Sequence, residues 1–171
     1  MAIVKTIIEI CALVVSLAAF CLGLIEFIKK SRLERASLLS RLLSTIRKDP
    51  SIKNIFYRIE YGEFHYSLAI HTTDEEKDLD SLLSFLNQLC FLKDANLLKD
   101  DEFSQFNYYI DRVMLNGDVQ NYLYNVYHFA KKQNSVFPYD SLLKKAEKER
   151  QIDEKFFKIT DNSEYDRILN F

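Results

Sequence analysis

The feature that most limits what this chain can become is an apolar run near its start. Between Ile10 and Ile25 no residue is charged, and only Ser16 and Gly23 interrupt the apolar character. Ile7, Ile8, Phe27 and Ile28 extend the run to 22 residues, about 33 Å of helix at about 1.5 Å per residue. That length matches a hydrocarbon core of about 30 Å. Glu9 and Glu26 fall near its two ends, where carboxylates reach headgroups and water. A buried core helix is the competing reading, but a core helix of a small domain keeps one polar side, and this segment is apolar all round. A cleaved leader would close on a small-x-small site. This run closes on Glu26-Phe27-Ile28-Lys29-Lys30, a stop sequence.

The flanks set an orientation. Lys5 and the amino terminus precede the run, whereas Lys29, Lys30, Arg32, Arg35, Arg41, Arg47 and Lys48 come after it. The positive-inside rule then predicts an N-terminus outside and a C-terminal domain in the cytoplasm. Ala12, Ser16, Ala19 and Gly23, flanked by Glu9 and Glu26, recur at intervals of three and four and so share one helix face. Small residues on one face let helices approach closely in lipid, which makes these four the candidate residues for helix association.

Beyond the anchor, composition narrows the choice. Residues 51–171 carry 15 Lys/Arg against 21 Asp/Glu, a balance that repels phosphate backbones, so nucleic acid is not an expected partner. Three glycines and two prolines leave few turn residues for a multi-stranded sheet. The expected class is all-α: a transmembrane helix continuing into a cytoplasmic bundle of about five helices. The expected segments are an anchor over 1–30, a juxtamembrane helix over 31–49, a helical domain over 50–150 and a loosely held tail over 151–171. Cys11, Cys21 and Cys90 form no close pair outside the apolar run and read as reduced, small buried hydrophobes.

Local signals divide the domain. Leu38, Leu39, Leu42, Leu43 and Ile46 continue a helical stripe until Asp49-Pro50 ends it. Pro50 opens a helix with Ile52, Ile55, Phe56 and Ile59 inward, ending at Gly62. The stretch 64–70 reads as helix or irregular chain for want of a partner strand. Thr73 with Glu76 predicts a capping box, and Asp74, Glu75, Glu76, Asp78 and Asp80 suit the first turns of the next helix. Leu79, Leu82, Leu83, Leu86, Leu89, Cys90 and Leu97 are its expected buried side. A helix from Asp100-Asp101 through Met114, one from Val119 to Lys132, and a last one from Pro138 complete the set.

The runs Leu82-Leu83-Ser84-Phe85-Leu86-Asn87-Gln88-Leu89, Leu97-Leu98 before Asp100-Asp101, Phe106-Asn107-Tyr108-Tyr109-Ile110, and Phe137-Pro138-Tyr139 before Leu142 carry a resemblance. Over about residues 33–145 the chain resembles a widespread group of small bacterial proteins of unknown function with an N-terminal membrane helix and a compact helical domain. The resemblance implies a bacterial inner-membrane protein and supplies no functional residues.

No motif for catalysis stands out. His65, His71 and His128 lack ligand spacing, and the three glycines, Gly23, Gly62 and Gly117, form no phosphate-cradling loop. No cofactor, metal or enzymatic activity is expected. What remains is tyrosine: Tyr108 and Tyr124 fall off their helices' apolar stripes and are the candidate partner contacts. The expected function is a membrane-anchored module that binds a protein partner or itself near the bilayer. The alternative is an oligomerising membrane effector, of toxin or phage-defence type, that disturbs the bilayer.

Overall fold

The computed structural model describes residues 2–158, with side chains described from residue 13 onward apart from 14 and 18. The chain divides into two compact units, residues 1–45 and 46–171. Among the described residues every regular element is helical and no strand occurs.

The first unit is one helix. α1 runs over Ala2–Lys48 without interruption, as the unbroken periodicity requires. From Leu13 to Ile28 its described large apolar side chains lie open, from Leu24 at 45 % to Leu13 and Phe27 at 71 % exposure. Among the described residues no helix is long and apolar enough to cross a membrane. The described side chains of the uncharged stretch reach only from Leu13 to Ile25, about 20 Å of helix at about 1.5 Å per residue, short of a hydrocarbon core. The first part of the apolar run, through Ala12, lies outside the described side chains.

Among its described residues the second unit contains six α-helices, where the sequence suggests about five. α2 (Pro50–Glu60) opens where the sequence predicts, with Pro50 in its first turn and the Asp49 carboxylate accepting from the Ser51 N–H at 3.0 Å. It buries Ile52, Ile55, Phe56 and Ile59. Gly62 comes next with φ +72°, the left-handed conformation that reverses the chain. Residues 63–67 are irregular, not strand. Tyr66 instead donates its N–H to the Asp118 carboxylate at 3.1 Å, a side-chain acceptor standing where a partner strand would be.

α3 (Asp74–Asp94) is the central helix and packs against α2 and α7. Leu79, Leu82, Leu83, Leu86 and Leu89 are fully buried on it, each contributing about 1.5–3 kcal/mol. Thr73 caps it by accepting from the Glu76 N–H, but the reciprocal half of the capping box does not form: the Glu76 carboxylate accepts from the Thr72 N–H instead. Leu97 is half-exposed rather than buried, because the helix ends at Asp94 and Asn96 turns left-handed. Its neighbour Leu98 takes the core position.

The helix expected over 100–114 is split into α4 (Asp100–Phe103), a 3-10 turn (Ser104–Phe106) and α5 (Asn107–Met114). The Ser104 hydroxyl donates to the Asp101 carbonyl at 2.8 Å, a local bond that competes with the helical ladder. This split supplies the additional helix. α6 (Gly117–Lys132), capped by Asn116, packs against α5. α7 (Asp140–Lys148) starts two residues after Pro138 because Asn87 of α3 holds that corner, donating to the Pro138 carbonyl and accepting from the Leu142 N–H. The beginning of the expected loose tail is packed: Ile152 and Phe156 are buried and residues 154–157 form a 3-10 turn. The rest of that tail, including Ile168 and Phe171, lies outside the described residues.

Candidate functional site

Three clusters of polar and aromatic side chains stand out, all within the second unit. The first is a groove of about 370 Å³ between α2, α5 and the last turn of α1, lined by Ile46, Arg47, Lys53, Phe56, Tyr57, Glu60, Tyr108 and Tyr109. Helical spacing builds it. Tyr57, in the last turns of α2, lines it, and Tyr61, the residue that ends α2 four positions on, stacks on Tyr57 with centroids 5.9 Å apart and planes at 9°. Phe56 turns inward and meets Tyr109 at 4.9 Å, which fixes α5 against α2. Tyr108 then projects outward and donates its hydroxyl to the Glu60 carboxylate. That hydrogen bond, with some desolvation, raises the Tyr108 pKa, while Arg112 opposes the shift.

Tyr108 is therefore at a surface, 53 % exposed, as its position off the apolar stripe predicts. Tyr124 is not. It is fully buried, and the contact assigned to it from sequence is corrected. The reason is long-range: residues 154–157 fold over this side of α6 and set Phe156 edge-on against the Tyr124 ring at 5.8 Å. The same segment buries His128, whose Nε2–H donates to the Phe156 carbonyl at 2.8 Å. Burial lowers the His128 pKa, partly offset by that hydrogen bond, and nearby Lys131 lowers it further.

The second cluster joins α3 to α6 and α7. One oxygen of Asp80 accepts hydroxyls from both Tyr122 and Tyr139, the latter at 2.6 Å. Burial first, then the bond to Asp80, pushes both phenols far above their ordinary pKa. Beside it the Glu76 carboxylate pairs with His71 Nδ1, and His71 Nε2 meets the Tyr66 hydroxyl at 2.9 Å. A carboxylate can only accept, so Glu76 draws the His71 proton to Nδ1 and fixes the ring's orientation toward the Tyr66 hydroxyl. Thr72 sits between these residues at φ +73°, a costly angle for a β-branched side chain, held by its N–H bond to Glu76. These bonds, with that from the Tyr66 N–H to Asp118, tie the 64–76 loop to α3 and α6. His65 is not part of the cluster and lies exposed, 3.4 Å from Asp118. Among the described residues no group of three or more His, Cys, Asp or Glu side chains could hold a metal ion.

The third is a cavity of about 550 Å³ between α3, α4 and α7, with Cys90 at its base and Lys93, Lys144, Lys145 and Lys148 around it. Its lysines are largely neutralised: Lys93 pairs with Asp100, Lys144 with Asp140 at 2.6 Å and Lys145 with Glu149 at 2.5 Å. Burial pushes the Cys90 thiol up to about 12, so it holds no thiolate for nucleophilic work at neutral pH.

On α1, Ser16, Ala19 and Gly23 are exposed, and a Cβ added at Gly23 would meet nothing within 4 Å. The Ala12 side chain lies outside the described residues. Lys29, Lys30 and Arg32 are exposed and Arg35 is half-buried. The chain was compared with protein-family models, curated proteins and solved structures, and none matches it. The groove's tyrosines are partly visible in the sequence through the 57/61 spacing. Arg47 and Lys53 are not, because the Asp49-Pro50 corner brings them to one groove.

Proposed function

We propose that this chain is a membrane-anchored interaction module: α1 spans a bacterial inner membrane, and the second unit faces the cytoplasm and binds a protein partner through its tyrosine groove. The observation that carries the reading is the uncovered apolar surface of α1. Nine large apolar side chains between Leu13 and Ile28 are 45–71 % exposed. Fully burying such a side chain is worth about 1.5–3 kcal/mol. Leaving these nine in water therefore forfeits on the order of 10 kcal/mol, as much as the whole stability of an ordinary domain.

Their arrangement supports lipid as the cover. At about 100° per residue the nine side chains sweep roughly two thirds of the helix circumference, and Ser16, Ala19, Gly23 and Glu26 fill the remaining third. A soluble partner helix would cover one stripe, whereas hydrocarbon covers every side. The small-residue third leaves room for a second copy of the helix. Lys29, Lys30 and Arg32, exposed at the end of the run, support a cytoplasmic placement of the second unit.

Fractionation of cells expressing the full chain tests this. The protein should pellet with membranes, resist alkaline carbonate extraction, and lose its second unit to protease only after the membrane is opened. Recovery in the supernatant without detergent would overturn the anchor, and digestion of the second unit in intact cells would overturn the orientation.

A further inference from the structure

The groove brings two cations to exposed tyrosine rings. Arg58 pairs with Glu75, Lys93 with Asp100 and Lys145 with Glu149, yet neither Arg47 nor Lys53 has an acidic partner among the described residues, although both line the groove and are exposed. Lys53 instead lies 6.0 Å from the centre of the Tyr57 ring. The groove's one carboxylate, Glu60, is engaged by the Tyr108 hydroxyl. Two uncommitted cations thus border exposed tyrosine faces on a unit whose residues 51–171 are net acidic.

We infer that the groove takes an acidic peptide segment of a partner protein, its apolar side chains on Tyr57 and Tyr108 and its carboxylates on Arg47 and Lys53. This rests on reading the second unit as an interaction module. The volume of about 370 Å³ lies at the small end of binding pockets, enough for a few side chains. Exposed tyrosines supply contact area at low entropic cost, with hydroxyls left at the rim. A phosphate group fits less well. The N–H groups opening α2, which would cradle it, are taken by Asp49 at 3.0 Å (Ser51) and 3.4 Å (Ile52). A nucleic-acid strand would find the same stacking faces but has to approach an acidic unit.

The test uses the full chain in a neutral detergent and a fluorescein-labelled peptide of repeated Glu-Glu-Phe, read by anisotropy. Binding should weaken as salt is raised. It should fall about tenfold or more in Arg47→Glu/Lys53→Glu, the scale of two surface ion pairs turned into repulsions. Tyr57→Ala should weaken it as well, and Lys148→Glu, at the other cavity, should not. Both reversed residues are exposed, so helicity should be unchanged, and the salt series needs no variant at all. The inference is overturned if the double reversal binds within about twofold of the wild type, if a Gln-Gln-Phe peptide binds equally well, or if a single-stranded dT oligomer displaces the peptide at equal concentration. A chain that stays in membranes and crosslinks to a neighbour from position 108, yet ignores these peptides, removes the acidic partner and leaves the interaction module standing.

Discussion

Removing the Asp80 carboxylate should loosen the second unit by undoing two part-buried hydrogen bonds at once. Its one oxygen accepts two hydroxyls, from Tyr122 and Tyr139, whose residues are 2 % and 4 % exposed. A hydrogen bond to a charged acceptor is worth about 1.5–3 kcal/mol, and a buried donor left without a partner costs its desolvation. Asp80 itself is only half-buried, so water enters once the carboxylate is gone and the lower end applies. Asp80→Ala should therefore cost roughly 3 kcal/mol, and Asp80→Asn, which keeps a neutral acceptor, roughly half of that. The assay is urea unfolding of the full chain in neutral detergent, monitored by the near-ultraviolet circular dichroism of tyrosine. α1 carries no tyrosine, so the signal reports the second unit alone. The decisive comparison is a double-mutant cycle. Tyr139→Phe should cost about 1–2 kcal/mol with Asp80 present and almost nothing in Asp80→Ala. Equal costs in both backgrounds, to within about 0.5 kcal/mol, would refute the clasp.

The same packing makes two further perturbations informative. Burial holds the His128 pKa below its ordinary value of 6.5, so the fold favours the neutral ring. Its contribution is whole above that value and is lost as pH falls through it toward the folded value, because the unfolded chain takes up the proton first. His128→Gln keeps a donor for the Phe156 carbonyl but does not titrate, and its urea midpoint should fall less between neutral and mildly acidic pH than that of the wild type. An equal fall would remove His128 from the acid response. Gly62→Ala should cost about 1–2 kcal/mol through backbone strain alone, since φ is +72° and no atom lies within 4 Å of the added carbon. Thermal melting reads this, and an unchanged Tm would contradict it.

Local chemistry makes most of the helical framework legible. Asp49-Pro50, Thr73, Asn116 and Gly62 act within a few residues of themselves, and each starts or ends a helix close to where its residue type predicts. The i, i+3, i+4 pattern of leucines gives the buried side of α3 for the same reason. What escapes a local reading depends on segments distant in the chain. Tyr124 reads as peripheral on its own helix, and only the return of Phe156 makes it, with His128, core. Leu97 misses the core because its helix stops three residues earlier, and the 100–114 helix divides where one serine hydroxyl captures a carbonyl. The groove sits between these cases. Tyr108 is readable as an outward residue, whereas the meeting of Arg47 and Lys53 with the Tyr57/Tyr61 stack needs the turn between α1 and α2.

The claim that lipid covers α1 is tested most directly at Cys21, which lies exposed on that helix while Cys90 is buried in the second unit. Membranes containing the full chain are treated with a charged, membrane-impermeant maleimide, and modification at each cysteine is read by mass spectrometry. The account predicts no adduct at Cys21 until detergent dissolves the bilayer, and none at Cys90 until the second unit unfolds. Labelling of Cys21 in intact, sealed or broken membranes at the rate of a free exposed thiol would mean that water, not hydrocarbon, surrounds α1.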